Sequence, residues 1–297
     1  MVLFVGNDIN NIQSNSNNSW EKLLKRIIEK YGKKVEVDKS QPFPLIYEEL
    51  YLKLLKTGKL ENELTLKEEI AKALSTIKPN EIHRMLLELD CNNYVTTNYD
   101  YTLQQAVLNG KTTKKLKNEG LVYEKKFSVF RHHVINNKKF WHIHGEINSP
   151  QSINLGFEHY GGQLQHLRDY VVSGVKYKTR ENPIAPLYQR LKENDVKNIS
   201  WVDLFYTDEI HIVGLGLGFE ETDLWWLITN RARLKYEKKL DALKNNKIIY
   251  YCPLLYKNYH KKQIMDANGI KTIYINKINT EFYFEVINRI KNKNTIA

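Results

Sequence analysis

The stretch Glu209-Ile210-His211-Ile212-Val213, then Gly214-Leu215-Gly216-Leu217-Gly218, then the helical pattern of residues 221–234, decides how this chain is read. A short apolar run closed by glycines is the signature of a strand buried on both faces. Beyond it the sequence repeats the alternation: a strand over 247–251, a helix over 254–267, a strand over 272–275 and a last helix over 280–290. Strand and helix in turn predict an α/β fold, a Rossmann-like and mostly parallel sheet with helices on both faces.

Working back to the N-terminus, Leu3-Phe4-Val5 runs into Gly6-Asn7-Asp8-Ile9-Asn10. A Ser/Asn-rich loop follows, and Ser19 caps a helical pattern over 20–28. Strand, polar turn and helix is the order that presents backbone N–H groups to a phosphate, and it is equally the order of an ordinary strand-to-helix connection. Residues 42–90 are helical in pattern, broken by Pro42 and Pro44, by Gly58 and by Pro79. That is too much helix for one crossover, so an inserted helical module is expected over about 40–90.

A second strand, 93–97, carries Val95-Thr96-Thr97-Asn98-Tyr99-Asp100. Small polar residues at the carboxyl end of a strand lie where open α/β sheets bind ligands. Asp100 can also cap the helix that follows. From 122 to 145 the pattern turns to β: 122–123, 127–130, then Phe140-Trp141-His142-Ile143-His144. Alternation sets Trp141 and Ile143 on one face and His142 and His144 on the other. A short strand over 152–155, a helix over 157–172 and a proline-containing segment over 175–200 complete a β/helical insertion of about 120–205, within a single domain spanning 1–297.

Hydrophobic residues make up 42% of the 297 and aromatics 11%, ample for a packed core. No apolar run approaches the roughly 20 residues of a membrane span. The N-terminus lacks the basic region and cleavage site of a signal peptide, so a cytoplasmic protein is expected. Cys91 and Cys252 are too few for a disulfide framework or a four-cysteine zinc site. The net charge of +11 and pI near 9.3 allow nonspecific nucleic-acid contact, but the basic residues are dispersed. The densest cluster, 111–117, has the composition of a solvated loop.

Four features now stand in order: the turn at Gly6, Thr97-Asn98-x-Asp100, His144-Gly145, and Gly214-x-Gly216-x-Gly218. This order resembles the sirtuin-like NAD-consuming family, and especially its bacterial anti-phage branch. Thr96-Thr97-Asn98-Tyr99-Asp100 is similar to the family's Thr-Gln-Asn-x-Asp, and His144-Gly145 to its His-Gly. Residues 213–224, with Asp223, resemble the late glycine turn of the defence branch, as does Ser19-Trp20-x-x-Leu23-Leu24. Gly6-Asn7-Asp8 stands where sirtuins have Gly-Ala-Gly, and the zinc-ribbon cysteines of the protein-deacylating members are absent from the sequence.

The resemblance implies hydrolysis of NAD+ itself rather than protein deacylation, with NAD+ as substrate. Asn98, His144 and Asp100 are the expected catalytic residues. Asn98 carries a donor and an acceptor on a short stem, suited to holding water and ribose. His144, with an ordinary pKa near 6.5, suits a general base. Asp100 would orient the carboxamide or stabilise the developing cation, or serve as a helix cap. The Gly6, Asn7 and Asp8 amides would face the pyrophosphate, Thr97 would also bind the cofactor, and Gly214, Gly216 and Asp223 would lie on the adenosine side, Asp223 alternatively capping its helix. His142, His144 and Glu146 share a face, but zinc hydrolysis needs about three ligands and a water, and no metal is expected. Such an activity is toxic when constant, so control by a homo-oligomer or by a separate sensor or motor ATPase is expected. The alternative is a non-catalytic nucleotide-binding or DNA-processing (nuclease) subunit of a defence complex.

Overall fold

The computed structural model describes residues 1–12, 23, 27, 29–31, 41–109 and 116–295. The helix expected after Ser19, the Ser19–Leu24 resemblance and most of the basic cluster at 111–117 lie largely outside them. The chain opens with Val2–Val5 (β1), then Phe43–Lys56 (α1), Glu63–Leu74 (α2) and Glu81–Leu87 (α3). Next come Asn93–Thr96 (β2), Thr102–Val107 (α4), His133–Ile135 (β3) and Lys138–His142 (β4). Phe157–Arg168 (α5), Leu187–Lys192 (α6) and Trp201–Thr207 (α7) precede Ile210–Val213 (β5) and Thr222–Tyr236 (α8). Ile248–Pro253 (β6), Tyr259–Ala267 (α9), Ile270–Ile275 (β7) and Asn279–Thr295 (α10) end the described chain.

The strands form one sheet in the order β3-β4-β2-β1-β5-β6-β7. Every pairing is parallel except the β3–β4 hairpin. Its turn, Asn136-Asn137, has φ of 49° and 62°, the left-handed pair that a two-residue hairpin requires and that Asn tolerates. The alternation of β1 shows why both sheet faces are covered. Val2 and Phe4 point into a core with Trp141, Leu204, Phe205 and Leu227, contributed by β4, α7 and α8. Leu3 and Val5 point the other way, into a core with Ile82, Leu86, Val286 and Ile290 from α3 and α10. A strand four residues long and entirely buried reads as a continuous apolar run for this reason.

Helices α1 and α2 pack in a third core around Tyr47, Leu50, Leu66 and Ile70, which also takes in Tyr99, Ile153 and Leu155. The helical module therefore leans on the turn after β2. Helix α3 instead belongs to the sheet. Three expected strands are absent, and residues 122–123 pair with no other strand. Residues 127–130 do not pair, because the Glu124 carboxylate accepts from the backbone N–H groups of Val129 and Phe130 at 2.9–3.2 Å. Residues 152–155 form no strand either, since Pro150–Ser152 is a 3-10 turn and Leu155 N–H donates to His159 Nδ1.

Candidate active site

The carboxyl ends of β1, β2, β4 and β5 lie side by side, and each ends in a residue or turn singled out above. After β1, Gly6 N–H donates to Val213 O at 2.9 Å and Asp8 N–H to Gly214 O at 2.9 Å. The two glycine turns are so close that a Cβ on Gly6 would sit 2.3 Å from Gly214 O. Gly214 has φ of +66°, a conformation that strains other residues. Gly6 thus serves the approach of β1 to β5.

After β2, Thr96 Oγ1 donates to Val5 O at 2.7 Å and accepts from Asn98 N–H at 3.0 Å. Asn98 Nδ2 donates to Gly6 O at 3.3 Å, which fixes the amide and leaves Oδ1 buried without a partner among the described residues. Asn98 O accepts from His142 Nδ1 at 2.7 Å, and His142 Nε2 accepts from Gln104 Nε2 at 2.6 Å. Both nitrogens of His142 are therefore used within the protein, and burial lowers its pKa. Asp100 is likewise committed. Its Oδ1 accepts from Thr102 N–H at 2.9 Å and its Oδ2 from Asn10 Nδ2 at 2.9 Å. Asn10 in turn meets His83 Nε2 at 3.1 Å, tying the β1 turn, the β2 turn and α3 into one buried network. Asp100 lies one residue before the N-cap Tyr101, holds the first N–H of α4 and locks the turn carrying Asn98.

After β4, Gly145 turns the chain with φ of +102°. His144 is 1% exposed, its ring edge-on to Tyr160 with centroids 5.3 Å apart. Its Nε2 lies 2.9 Å from Asp223 Oδ2. Burial alone would favour the neutral imidazole, but the charge and hydrogen bond of Asp223, with the charge of Glu221, raise the pKa above its ordinary value. Asp223 is fully buried in the first turn of α8, whose N-cap is Glu221, so it does not cap that helix. It is the partner of His144. Its Oδ1, like Glu221 Oε2, is shielded from water and unpaired among the described residues. Burial pushes the Glu221 carboxyl up to about 7, with His144 opposing and Asp223 adding to the rise.

Beyond β5, β6 and β7 a cavity of about 530 Å³ is lined by Asp8, Gly214, Gly216, Tyr250, Cys252 and Lys261. Burial against the cavity wall raises the Asp8 carboxyl to about 6, against the charge of Lys261. Glu221 interacts with His144 and Asp223 on one side and with Lys261 on the other, linking the imidazole to the cavity. Asp8, Gly214 and Gly216 thus share the cavity, and Asn98 is bonded to Gly6. Thr97 is half-buried and lines no described cavity. Asn7 turns inward, its Oδ1 accepting from Asn10 Nδ2. Sequence reasoning passed over Glu221, although it stands two places before Asp223. Lys261 carried no signal.

Among the described residues no group of three or more His, Cys, Asp or Glu side chains is placed to hold a metal ion. No helix among them is long and apolar enough to cross a membrane. A seven-stranded, mostly parallel sheet with turns converging at its carboxyl edge defines a Rossmann-like α/β protein. Residues 92–200, the stretch that holds both Asn98 and His144, match the SIR2-like domain family. Members of that family are NAD-dependent enzymes. No curated protein matches the chain.

Proposed function

We propose that this protein is an NAD+ glycohydrolase, cleaving the bond between nicotinamide and ribose to give nicotinamide and ADP-ribose. The observation that carries this is the His144–Asp223 pair, set among buried acceptors that lack donors: Asn98 Oδ1, Asp223 Oδ1 and Glu221 Oε2. Buried acceptors without partners are costly. A ligand bringing hydroxyl donors and positive charge, as the nicotinamide riboside half of NAD+ does, relieves that cost.

In this mechanism the C1′–N bond breaks and neutral nicotinamide leaves with the bonding electrons, so no acid is needed. Positive charge grows on the sugar beside the Asp223 and Glu221 carboxyl groups. Asn98 Oδ1 accepts from the attacking water or a ribose hydroxyl. His144 takes the proton through Nδ1, the ring nitrogen that does not face Asp223, while Asp223 holds Nε2–H and stabilises the imidazolium. The adenosine half occupies the cavity of about 530 Å³, within the size range of small-molecule sites.

We place this activity in bacterial anti-phage defence, draining NAD+ under the control of a homo-oligomer or of a sensor or motor ATPase. Support comes from the resemblance of the late glycine turn and from the exposed Leu255, Tyr256 and Tyr259 beside the cavity, apolar surface suited to an interface. The second reading, a nucleotide-binding or DNA-processing subunit without this activity, is favoured by the Asp8 carboxylate in the cavity and the +11 charge. Incubation of the purified protein with NAD+, alone and with candidate activating partners, separates them. Nicotinamide and ADP-ribose in equal amounts support hydrolysis. NAD+ binding without turnover, or metal-dependent DNA cleavage, supports the alternative.

A further inference from the structure

Helix α5 packs along α8, the helix that carries Asp223, and its first turns set Tyr160 against the reaction side. Tyr160 is 8% exposed, and its ring stands at 83° to the His144 imidazole with centroids 5.3 Å apart. The contact runs through the ring, since the Tyr160 hydroxyl makes no hydrogen bond among the described residues. Burial, with Tyr99, Glu221 and Asp223 nearby, raises its pKa well above the ordinary 10, so the phenol stays neutral and is no base.

One residue earlier, His159 clamps the start of α5. Its Nδ1 accepts from Leu155 N–H at 3.2 Å and from Gly156 N–H at 2.8 Å. The ring hydrogen therefore sits on Nε2, which lies 2.9 Å from Glu63 Oε1. Lys67 Nζ is 2.8 Å from the same nitrogen and 3.6 Å from Glu63 Oε2, and Tyr47 OH donates to Glu63 Oε1 at 3.2 Å. Glu63 and Lys67 belong to α2 and Tyr47 to α1. The inserted helical module thus fixes the start of α5 and, through it, the ring of Tyr160.

We infer that Tyr160 is a positioning residue for His144, presented to it by the helical module. Its effect on rate rests on the hydrolase reading, while its effect on the imidazole does not. The bond between Nε2 and Asp223 sets one end of the His144 ring. Alone, it leaves the ring free to rock about its Cβ–Cγ axis within the tolerance of a hydrogen bond. A second aromatic ring against the imidazole removes that freedom, holding Nε2 on Asp223 and Nδ1 turned to the substrate. Small errors in the placement of a reacting group cost large factors in rate.

The test compares the whole parent protein with Tyr160→Leu and the conservative Tyr160→Phe. Steady-state kinetics on NAD+ give kcat and KM, and NMR of histidine-labelled protein follows solvent exchange of the His144 Nε2 hydrogen. Tyr160→Leu should lower kcat by about tenfold, change KM by less than about twofold and speed the exchange by about tenfold. Tyr160→Phe, which keeps the ring, should rescue kcat and exchange to within about twofold of the parent. Glu63→Ala, at the half-buried start of α2, loosens the clamp with Tyr160 intact and should speed the exchange by about threefold. It decides the matter if Tyr160→Leu does not fold. Parental exchange in Tyr160→Leu, or in Glu63→Ala where that variant decides, overturns the proposal. So does a Tyr160→Phe protein that behaves like Tyr160→Leu, since the hydroxyl would then be the active part. A parent that releases no nicotinamide overturns the hydrolase reading instead, and the exchange rates alone then judge Tyr160.

Discussion

His144 and Asp223, 79 positions apart in the chain, meet at 2.9 Å with the carboxylate wholly buried in the first turn of α8. Asp223 holds the imidazole pKa above its ordinary value, so the charged form persists to higher pH in the folded protein. The pair contributes stability that is complete below about pH 6.5 and is lost as pH rises through the raised pKa. A base must be neutral to act, so activity should rise with pH over that same interval. In Asp223→Asn the rising limb should move to lower pH, and the rate should fall by about a hundredfold because the ring loses its oriented partner. A pH–rate profile of the two proteins checks both effects.

Glu221 gives a prediction of opposite kind for stability. Its folded pKa of about 7 lies above the ordinary 4.5, so the folded state holds a proton that the unfolded state releases. Stability from this group is greatest below pH 4.5 and declines as pH climbs to about 7. Glu221→Gln should therefore be more stable than the parent at pH 8 by about 2 kcal/mol, and little changed at pH 4.5. Denaturant titrations at the two pH values measure the difference. The same variant should hydrolyse NAD+ more slowly, since it removes a carboxylate from the cation's side.

Asp8 opposes the pyrophosphate that the glycine turn is expected to face. Above pH 6 its carboxylate is charged and shares the cavity wall with Lys261. Asp8→Asn should lower the KM for NAD+ about threefold at pH 7.5, with kcat nearly unchanged. Steady-state kinetics across NAD+ concentration give the comparison. A raised KM would show that Asp8 accepts a hydrogen bond from the substrate instead.

Gly6 is needed for packing, whatever its part in binding. A methyl group there would meet Gly214 O and the Leu215 Cα at 2.3–2.4 Å, both backbone atoms that cannot swing away. Gly6→Ala should cost more than about 3 kcal/mol or prevent folding. Thermal unfolding resolves this, and a stable Gly6→Ala protein would show that the two turns can part.

The sheet was legible because its strands are buried on both faces and so appear as unbroken apolar runs, as in Ile210–Val213 and Ile248–Pro253. Where side chains replaced ladder hydrogen bonds, the pattern misled. Phe127–Phe130 has strand composition, yet Glu124 supplies the acceptors that a neighbouring strand would. At the site, Asn98 and His144 stood out because they follow strand patterns, and the structure sets them in the turns just after two adjoining strands, β2 and β4. The role of Asp223 was hidden, since its partner lies 79 residues away and only the meeting of α8 with the turn after β4 reveals it. Asp100 was expected as a cap, but the N-cap is Tyr101 and Asp100 holds the first helical N–H from one residue earlier; its bond to Asn10 depends on the parallel pairing of β1 with β2.

The most direct test of the whole account is chromatographic measurement of nicotinamide released from NAD+ by the parent protein, Asn98→Ala and His144→Ala, under whatever condition activates the parent. The parent should release it, and each variant should fall by at least about a hundredfold while keeping its circular dichroism spectrum and thermal midpoint. Folded variants that release nicotinamide at the parent's rate would contradict the account.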